Sequence, residues 1–397
     1  MTHSGASRAG RPKTSAFVYP WDVNGDPAAP ERIAALGVDQ VTLASAYHST
    51  RALTPRHPRH RIVTAEHAAV YYPADGDRWA GRELRPHPAG DWAPGDAHGE
   101  AADALRGAGL EVHTWVVLAH NSRLGAEHPD TSVVNAYGDR YPWAPCIAQP
   151  ATRAYLADLA AEAAVRPGAA GTELESLGWY GLQHLHAHDK TAGVGLGDAG
   201  QYLMALCFCP ACRTGYGEQG LDADELAAAV REALEPLWRG TGDDTGWPTV
   251  EKLLGEPVAA ATRAWRDGQA RTLQETAVTA VRAAAPEGFQ VLLHADPVTY
   301  HCGANAGVDP AWILSVADGV VVPCASGTGL LAPFAEHARA DTVLAANFTV
   351  VSGMGGSPAT LAADRDRARA QGATELRLYH AGLASDGDLA AVREALR

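Results

Sequence analysis

The sequence predicts an α/β fold, a single (β/α)8 barrel with long insertions after its second and fourth strands. Three observations lead there. Eight short apolar, β-branched runs alternate with Ala-rich helical stretches along the chain, and several are apolar on both faces, as parallel strands buried beneath helices are. Eight strands, each followed by a helix, is the count of a closed barrel. An open doubly wound sheet would carry a tight Gly-rich turn after its first strand, whereas the chain reads Tyr19-Pro20-Trp21-Asp22 there. Gly195 and Gly197 form a lone GxG with no strand before it.

In chain order the predicted strands lie near residues 15–19, 40–44, 111–118, 173–177, 290–294, 319–322, 342–347 and 375–379. Helices are predicted near residues 30–36, 99–108, 151–165, 224–238, 257–285, 310–316, 329–338, 357–371 and 385–396. The last is amphipathic, with Leu389, Val392 and Leu396 on one stripe. Residues 1–13 read as a disordered tail and 14–397 as one domain. Its insertions, about 46–97 and 178–255, both follow a strand and so fall on the C-terminal face, where active sites of barrels are built.

A chain of 397 residues with 46% hydrophobic and 20% charged residues has the composition of a soluble globular protein with a large core. Its net charge of −14 argues against nucleic acid or an anionic membrane as a general partner, while leaving room for a local basic pocket. No apolar stretch follows the polar N-terminus as a secretory signal would, and none approaches the length of a membrane span. The expected compartment is the cytoplasm, where thiols stay reduced and cysteines serve as metal ligands or small core residues.

In a barrel the residues at strand ends carry the chemistry. Polar and aromatic groups recur where the apolar runs stop: Asp22, His48, Glu173 and Glu175, His294 and Asp296, Asn347, and Tyr379 with His380. Glu173 and Glu175 share a strand parity, and Glu175 is nearer the mouth. A carboxyl walled by Trp179 and Tyr180 would be desolvated and would hold a proton near neutral pH, so Glu175 is the candidate general acid. Asp296 is the candidate partner, since two acids flanking the bond are the usual requirement for glycoside hydrolysis, with Asp22 in reserve. Before Pro297, Asp296 equally suits the start of a turn. His48, Arg51, Glu173, Trp179, His294, Asn347 and Tyr379 are candidate substrate contacts. Arg51 belongs to a basic island, residues 47–61, that suits either sugar hydroxyls or plain solvation. Ten tryptophans against five phenylalanines also favour stacking on sugars. His184, His186 and His188 alternate and would share a face if extended, a pattern that suits a metal or a solvated loop. Cys324, with His294 or His301 as base, is a weaker nucleophile candidate.

Cys207-x-Cys209-x-x-Cys212 has a spacing suited to thiolates converging on one metal, and Cys146 is the candidate fourth ligand of a tetrahedral zinc site. Cys146, Glu175 and this cluster, in that order, resemble the zinc-containing family 42 β-galactosidases of the clan A glycoside hydrolases and related uncharacterised barrels. The resemblance covers about a quarter of the chain. It implies a barrel, a structural zinc with no organic cofactor, and an acid/base Glu at the end of strand four. The chain departs from that pattern at two places: Leu174 stands where the clan has an Asn, and Asn347 where it has a nucleophilic Glu. The resulting expectation is an enzyme cleaving a glycosidic bond in a small carbohydrate by carboxylate acid/base catalysis. Two alternatives remain open: a metal-dependent barrel isomerase or hydrolase using the His184–His188 segment, and a non-catalytic carbohydrate-binding barrel.

Overall fold

The computed structural model describes residues 11–185, 189–242 and 244–397. Eight parallel strands run in chain order: β1 (Lys13–Val18), β2 (Gln40–Tyr47), β3 (Glu111–Val117), β4 (Gly171–Glu175), β5 (Gln290–Asp296), β6 (Gly319–Pro323), β7 (Val343–Thr349) and β8 (Glu375–Tyr379). Each pairs with its successor, and β8 pairs back onto β1, with Arg377 opposite Ser15, so the sheet closes into a barrel. Closure removes the free edges that an open sheet would expose.

The strand residues are almost wholly buried because each strand faces helices outside and side chains inside. The outer layer is α1 (Ala29–Ala34), α2 (Ala97–Gly107), α3 (Pro150–Ala164), α4 (Glu256–Ala284), α5 (Pro310–Val316), α6 (Ala332–Ala335), α7 (Leu361–Ala370) and α8 (Asp386–Ala395). Side-chain caps set several starts. Asp96 accepts from Gly99 N and Asp309 from Trp312 N, while Ser385 and Asp388 form a reciprocal capping box. The helix predicted over 329–338 is shorter: a 3-10 turn at Gly329–Leu331 runs into the single turn of α6. Leu331 and Phe334 are buried there, but the residues that follow, from Glu336 on, are polar and have no apolar stripe to hold a further turn.

Inside the barrel, residues of one parity form layers. At the base lie Leu292, Val321, Val343 and Ala345, a small apolar cluster. Phe17, Tyr19, Ala44, Tyr47, Trp115 and Val117 line the upper part. Between them sits a polar layer containing Thr42, Glu173 and Arg377. Gly171 leaves room in it, since a Cβ there would lie 2.6 Å from the His113 ring and 2.7 Å from the Gln290 carbonyl.

Three connections on the C-terminal side carry their own elements. After β2 comes a hairpin, Thr50–Leu53 with Ile62–Ala65, and a short strand, Ala69–Val70, that returns antiparallel to β2. After β4 come helices Gly197–Ala205, Pro210–Glu218, Ala223–Trp238 and Trp247–Leu254. The connection after β3, which carries Cys146, is structured as well. It holds a helix, Ser122–Glu127, capped by Asn121, and a hairpin of Ser132–Val134 with Arg140–Pro145. Among the described residues no helix is long and apolar enough to cross a membrane.

Candidate active site

At the end of β4 the backbone changes hand. Ser176 has φ +56°, the only positive φ outside glycine among the described residues, and its N–H donates to Ala304 O at 2.8 Å. A serine held in the left-handed region costs of order 1 kcal/mol or more and persists only where its surroundings fix it. The residue before it is Glu175, whose side chain points into the barrel mouth.

The Glu175 carboxyl is buried and receives the Trp115 indole N–H on Oε2 at 2.8 Å. His294 Nδ1 lies 3.9 Å from the same oxygen. Burial raises the Glu175 pKa, against the pull of His294 and the Trp115 N–H. Around it stands a packed set of rings. Trp115 meets Phe17 at 4.7 Å and Tyr47 at 4.5 Å between centroids, and Tyr379 lies 5.7 Å from Phe17. Tyr19 stacks between Trp21 and His380. The peptide between Tyr379 and His380 is cis.

Glu173, two residues earlier on the same face, behaves in the opposite way. Burial alone would raise its pKa, but Arg377 beside it outweighs burial and holds the carboxyl down at about 2. Its Oε1 accepts from Arg377 Nε and from Thr42 Oγ1, while Arg377 also reaches Glu375 at 2.8 Å. His294 Nε2 stands 3.5 Å from Glu173 Oε2, and neither atom has a hydrogen-bond partner. Arg377 Nη2 and Asn347 Oδ1 are likewise buried without one. Asn347 is the register partner of Arg377 and so shares this interior layer.

The wall around Glu175 differs from the expected one. Trp179 is turned outward against α4: its N–H donates to Arg266 O at 3.0 Å, and the Arg266 guanidinium lies 4.7 Å over its ring. Trp115 takes the place expected of Trp179. Tyr180 stacks on His120 at 4.2 Å and bonds to His184, which extends the aromatic wall away from the mouth. His48 joins that wall between Tyr47 and His120, with Nδ1 2.7 Å from Ser49 O.

Asp296, at the end of β5, turns into a neighbouring cavity of ≈ 290 Å³ that also takes in His184, Asp198, Tyr300, His301 and Asn305. His301 bridges two acids, with Nδ1 3.1 Å from Asp296 and Nε2 3.5 Å from Asp198. Burial lowers the His301 pKa, but these carboxylates overcome it and raise it overall. Asp296 also accepts Val298 N at 2.8 Å, the turn geometry its Pro297 neighbour suggests. Ala304, which holds the Ser176 backbone, lines the same cavity, so this space adjoins the end of β4.

Other sequence candidates lie apart. Asp22 caps the end of β1 by accepting Tyr19 N at 2.8 Å and faces Arg56 outside the mouth; burial pushes its pKa up to about 7 despite the Tyr19 N–H and Arg56. Arg51 is exposed on the hairpin after β2. Much of the basic island around it ties loops together: Arg56 donates to Ala381 and Ala384 carbonyls, and His57 bonds to Asn24 O. Cys324 lies in a separate cavity with Thr328, Asp364 and Arg367, away from His294 and His301, and burial pushes its thiol up to about 12. His186 and His188 lie outside the described residues.

Cys146, Cys207, Cys209 and Cys212 are buried together, with their sulfurs all within 4.8 Å of one another. Cys146 Sγ is 3.5, 3.6 and 3.7 Å from Cys209, Cys212 and Cys207. Four sulfurs about 2.3 Å from a tetrahedral zinc would stand about 3.8 Å apart, so the donor set fits such an ion. Backbone N–H groups of Val134 and Cys209 point at Cys207 Sγ, as donors to a thiolate do. Among the described residues this is the one His/Cys/Asp/Glu group with metal-holding geometry.

Two signals were missed in the sequence. Trp115 shares its strand parity with Val117, which places it inside the barrel. Glu375, Arg377 and Tyr379 alternate with Leu376 and Leu378, and polar residues at every second place of a barrel strand mark the interior.

No protein-family model matches the chain, and no curated protein sequence does. Solved structures do match. An α-L-fucosidase isoenzyme 2 from Paenibacillus thiaminolyticus aligns over 97% of this chain and 49% of its own, with TM-score 0.57 and 12% identity. The PgaB (BpsB) glycoside hydrolase domain from Bordetella bronchiseptica aligns over 97% and 98%, with TM-score 0.55 and 15% identity. A GH42 β-galactosidase from G. stearothermophilus aligns over 98% and 56%, with TM-score 0.55 and 11% identity. The chain thus spans about half the length of the fucosidase and the galactosidase, and nearly all of the PgaB domain. At these identities the likeness is one of fold, and it is the barrel that the cysteine and glutamate pattern implies.

Proposed function

We propose that the chain is a glycoside hydrolase-like barrel enzyme that cleaves a glycosidic bond in a small carbohydrate, with Glu175 as general acid/base. The observation that carries this reading is the Glu175 carboxyl itself. It stands at the catalytic end of β4, buried among aromatic rings, with a pKa raised by that burial and with Glu173 fixed as an anion below it. The contrast singles out Glu175 as the carboxyl of this face whose surroundings favour a proton. Structural neighbours described as glycosidases support the substrate class.

Asp296 is the proposed partner carboxylate, steadied by His301, in the cavity beside the end of β4. His48, His294, Asn347 and Tyr379 are proposed to contact the sugar. The reaction on this reading runs by proton donation from Glu175 to the departing oxygen, with Asp296 acting as nucleophile or as base for a water. The four cysteines are proposed to hold a structural zinc that supplies no step, and their thiols fit a reducing cytoplasm.

The test is Glu175→Gln, assayed against a panel of aryl glycosides. Turnover should fall by about 10²–10⁴-fold with the fold intact by circular dichroism. A fully active variant removes the assignment. Asp296→Asn in the same assay tests the partner.

A further inference from the structure

We propose that His294 is a positioning residue that sets the charge state of Glu175, with the Glu173–Arg377 pair as its fixed anchor. This rests on the reading of Glu175 as the proton donor and adds what governs that proton.

The geometry is specific. The His294 ring is buried on β5 between two carboxyls of one strand face, 3.5 Å from Glu173 and 3.9 Å from Glu175. Phe17 packs on it at 5.8 Å, which limits where the ring can turn. Glu173 cannot share its proton inventory, because Arg377 and Thr42 hold it as a carboxylate. That leaves the His294 imidazole as the group of this cluster that faces both carboxyls, with Glu175 the one not held by an arginine. An imidazolium on His294 faces the Glu173 anion on one side and favours a carboxylate at Glu175 on the other. A neutral ring favours the protonated acid. At 3.9 Å the effect runs through charge and not through a direct proton hand-off. The other titratable groups facing this space are Arg377, His113, Tyr47 and Tyr379. Arg377 is further neutralised by Glu375, His113 faces its own partner Glu111 at 3.1 Å, and the tyrosines are raised by burial.

The arrangement has a use in the reaction. An imidazolium held beside Glu175 through the step stabilises the carboxylate left when its proton goes to the departing oxygen. Coupling of this kind is reciprocal, so each group must shift the other's titration by the same amount.

The experiment is an infrared difference titration of the full-length protein, with the protonated Glu175 carbonyl band assigned by its loss in Glu175→Gln. In His294→Gln the midpoint of that band should move up by about one pH unit or more. An unchanged midpoint overturns the proposal. A second measurement needs no change at His294: histidine ring NMR of Glu175→Gln should show the His294 titration moved down by the same amount, and no movement overturns it. Neither readout depends on turnover. A fully active Glu175→Gln would remove the acid assignment and leave the coupling to be judged on the two titrations alone.

Discussion

Glu173 and Glu175 stand two residues apart on one face of one strand, yet their surroundings push their pKa values in opposite directions. The difference is a counterion: Arg377 reaches Glu173 and leaves Glu175 to burial, offset by His294 and an indole N–H. The strand parity of the two glutamates was legible in the sequence, but the counterion was not, because it lies 204 residues away. Asp22 shows the same physics without the chemistry. Its folded carboxyl titrates near 7 against an ordinary 3.8, so the fold favours the protonated form, and stability falls as pH rises between those values. Asn at this position keeps an acceptor for the Tyr19 N–H and cannot ionise. Asp22→Asn should therefore melt at a higher temperature than the parent at pH 8 and at the same temperature at pH 4. Equal melting at pH 8 would show that Asp22 titrates normally.

At the scale of elements, the eight strands were readable because a parallel strand buried on both faces writes itself as a continuous apolar run. The hairpins after β2 and β3 were not, because their alternation is interrupted: Thr50–Leu53 turns into a run of prolines, histidines and arginines, and Leu53 and Ile62 point their apolar side chains to solvent. The cysteine cluster was legible from spacing, and its consequence appears only in three dimensions. Cys146 belongs to the β3 connection and the other three to the β4 connection, so the cluster ties together two segments that flank the mouth. Hydrogen bonds follow the same seam, with Phe208 N donating to Val134 O and the Tyr141 hydroxyl to Met204 O. Zinc bound there would stabilise the folded state by mass action. Purified protein should carry about one zinc per chain by elemental analysis, and Cys209→Ser should lose it and melt several degrees lower. Protein without metal whose four thiols titrate freely would remove the zinc.

At the scale of the whole molecule, the barrel is closed by one seam, β8 on β1, and the same strand delivers Arg377 to its interior. Glu173 and Glu111 both have folded pKa values near 2, held down by Arg377 and by His113 and Lys13 respectively. A depressed carboxyl contributes stability above its unfolded pKa and loses it as pH falls through the folded one. The melting temperature should accordingly hold near pH 5 and drop steeply toward pH 2, and Glu173→Gln should flatten that drop; an unchanged acid profile in the variant would assign the loss elsewhere. The placement of Arg377 also orders events during synthesis. Glu173 leaves the ribosome well before its counterion is made, so for most of translation the nascent chain carries a carboxylate in a strand destined for the interior with nothing to neutralise it. Glu173 therefore meets its counterion only when β8 is in place, and the last strand brings both the final edge and the final charge.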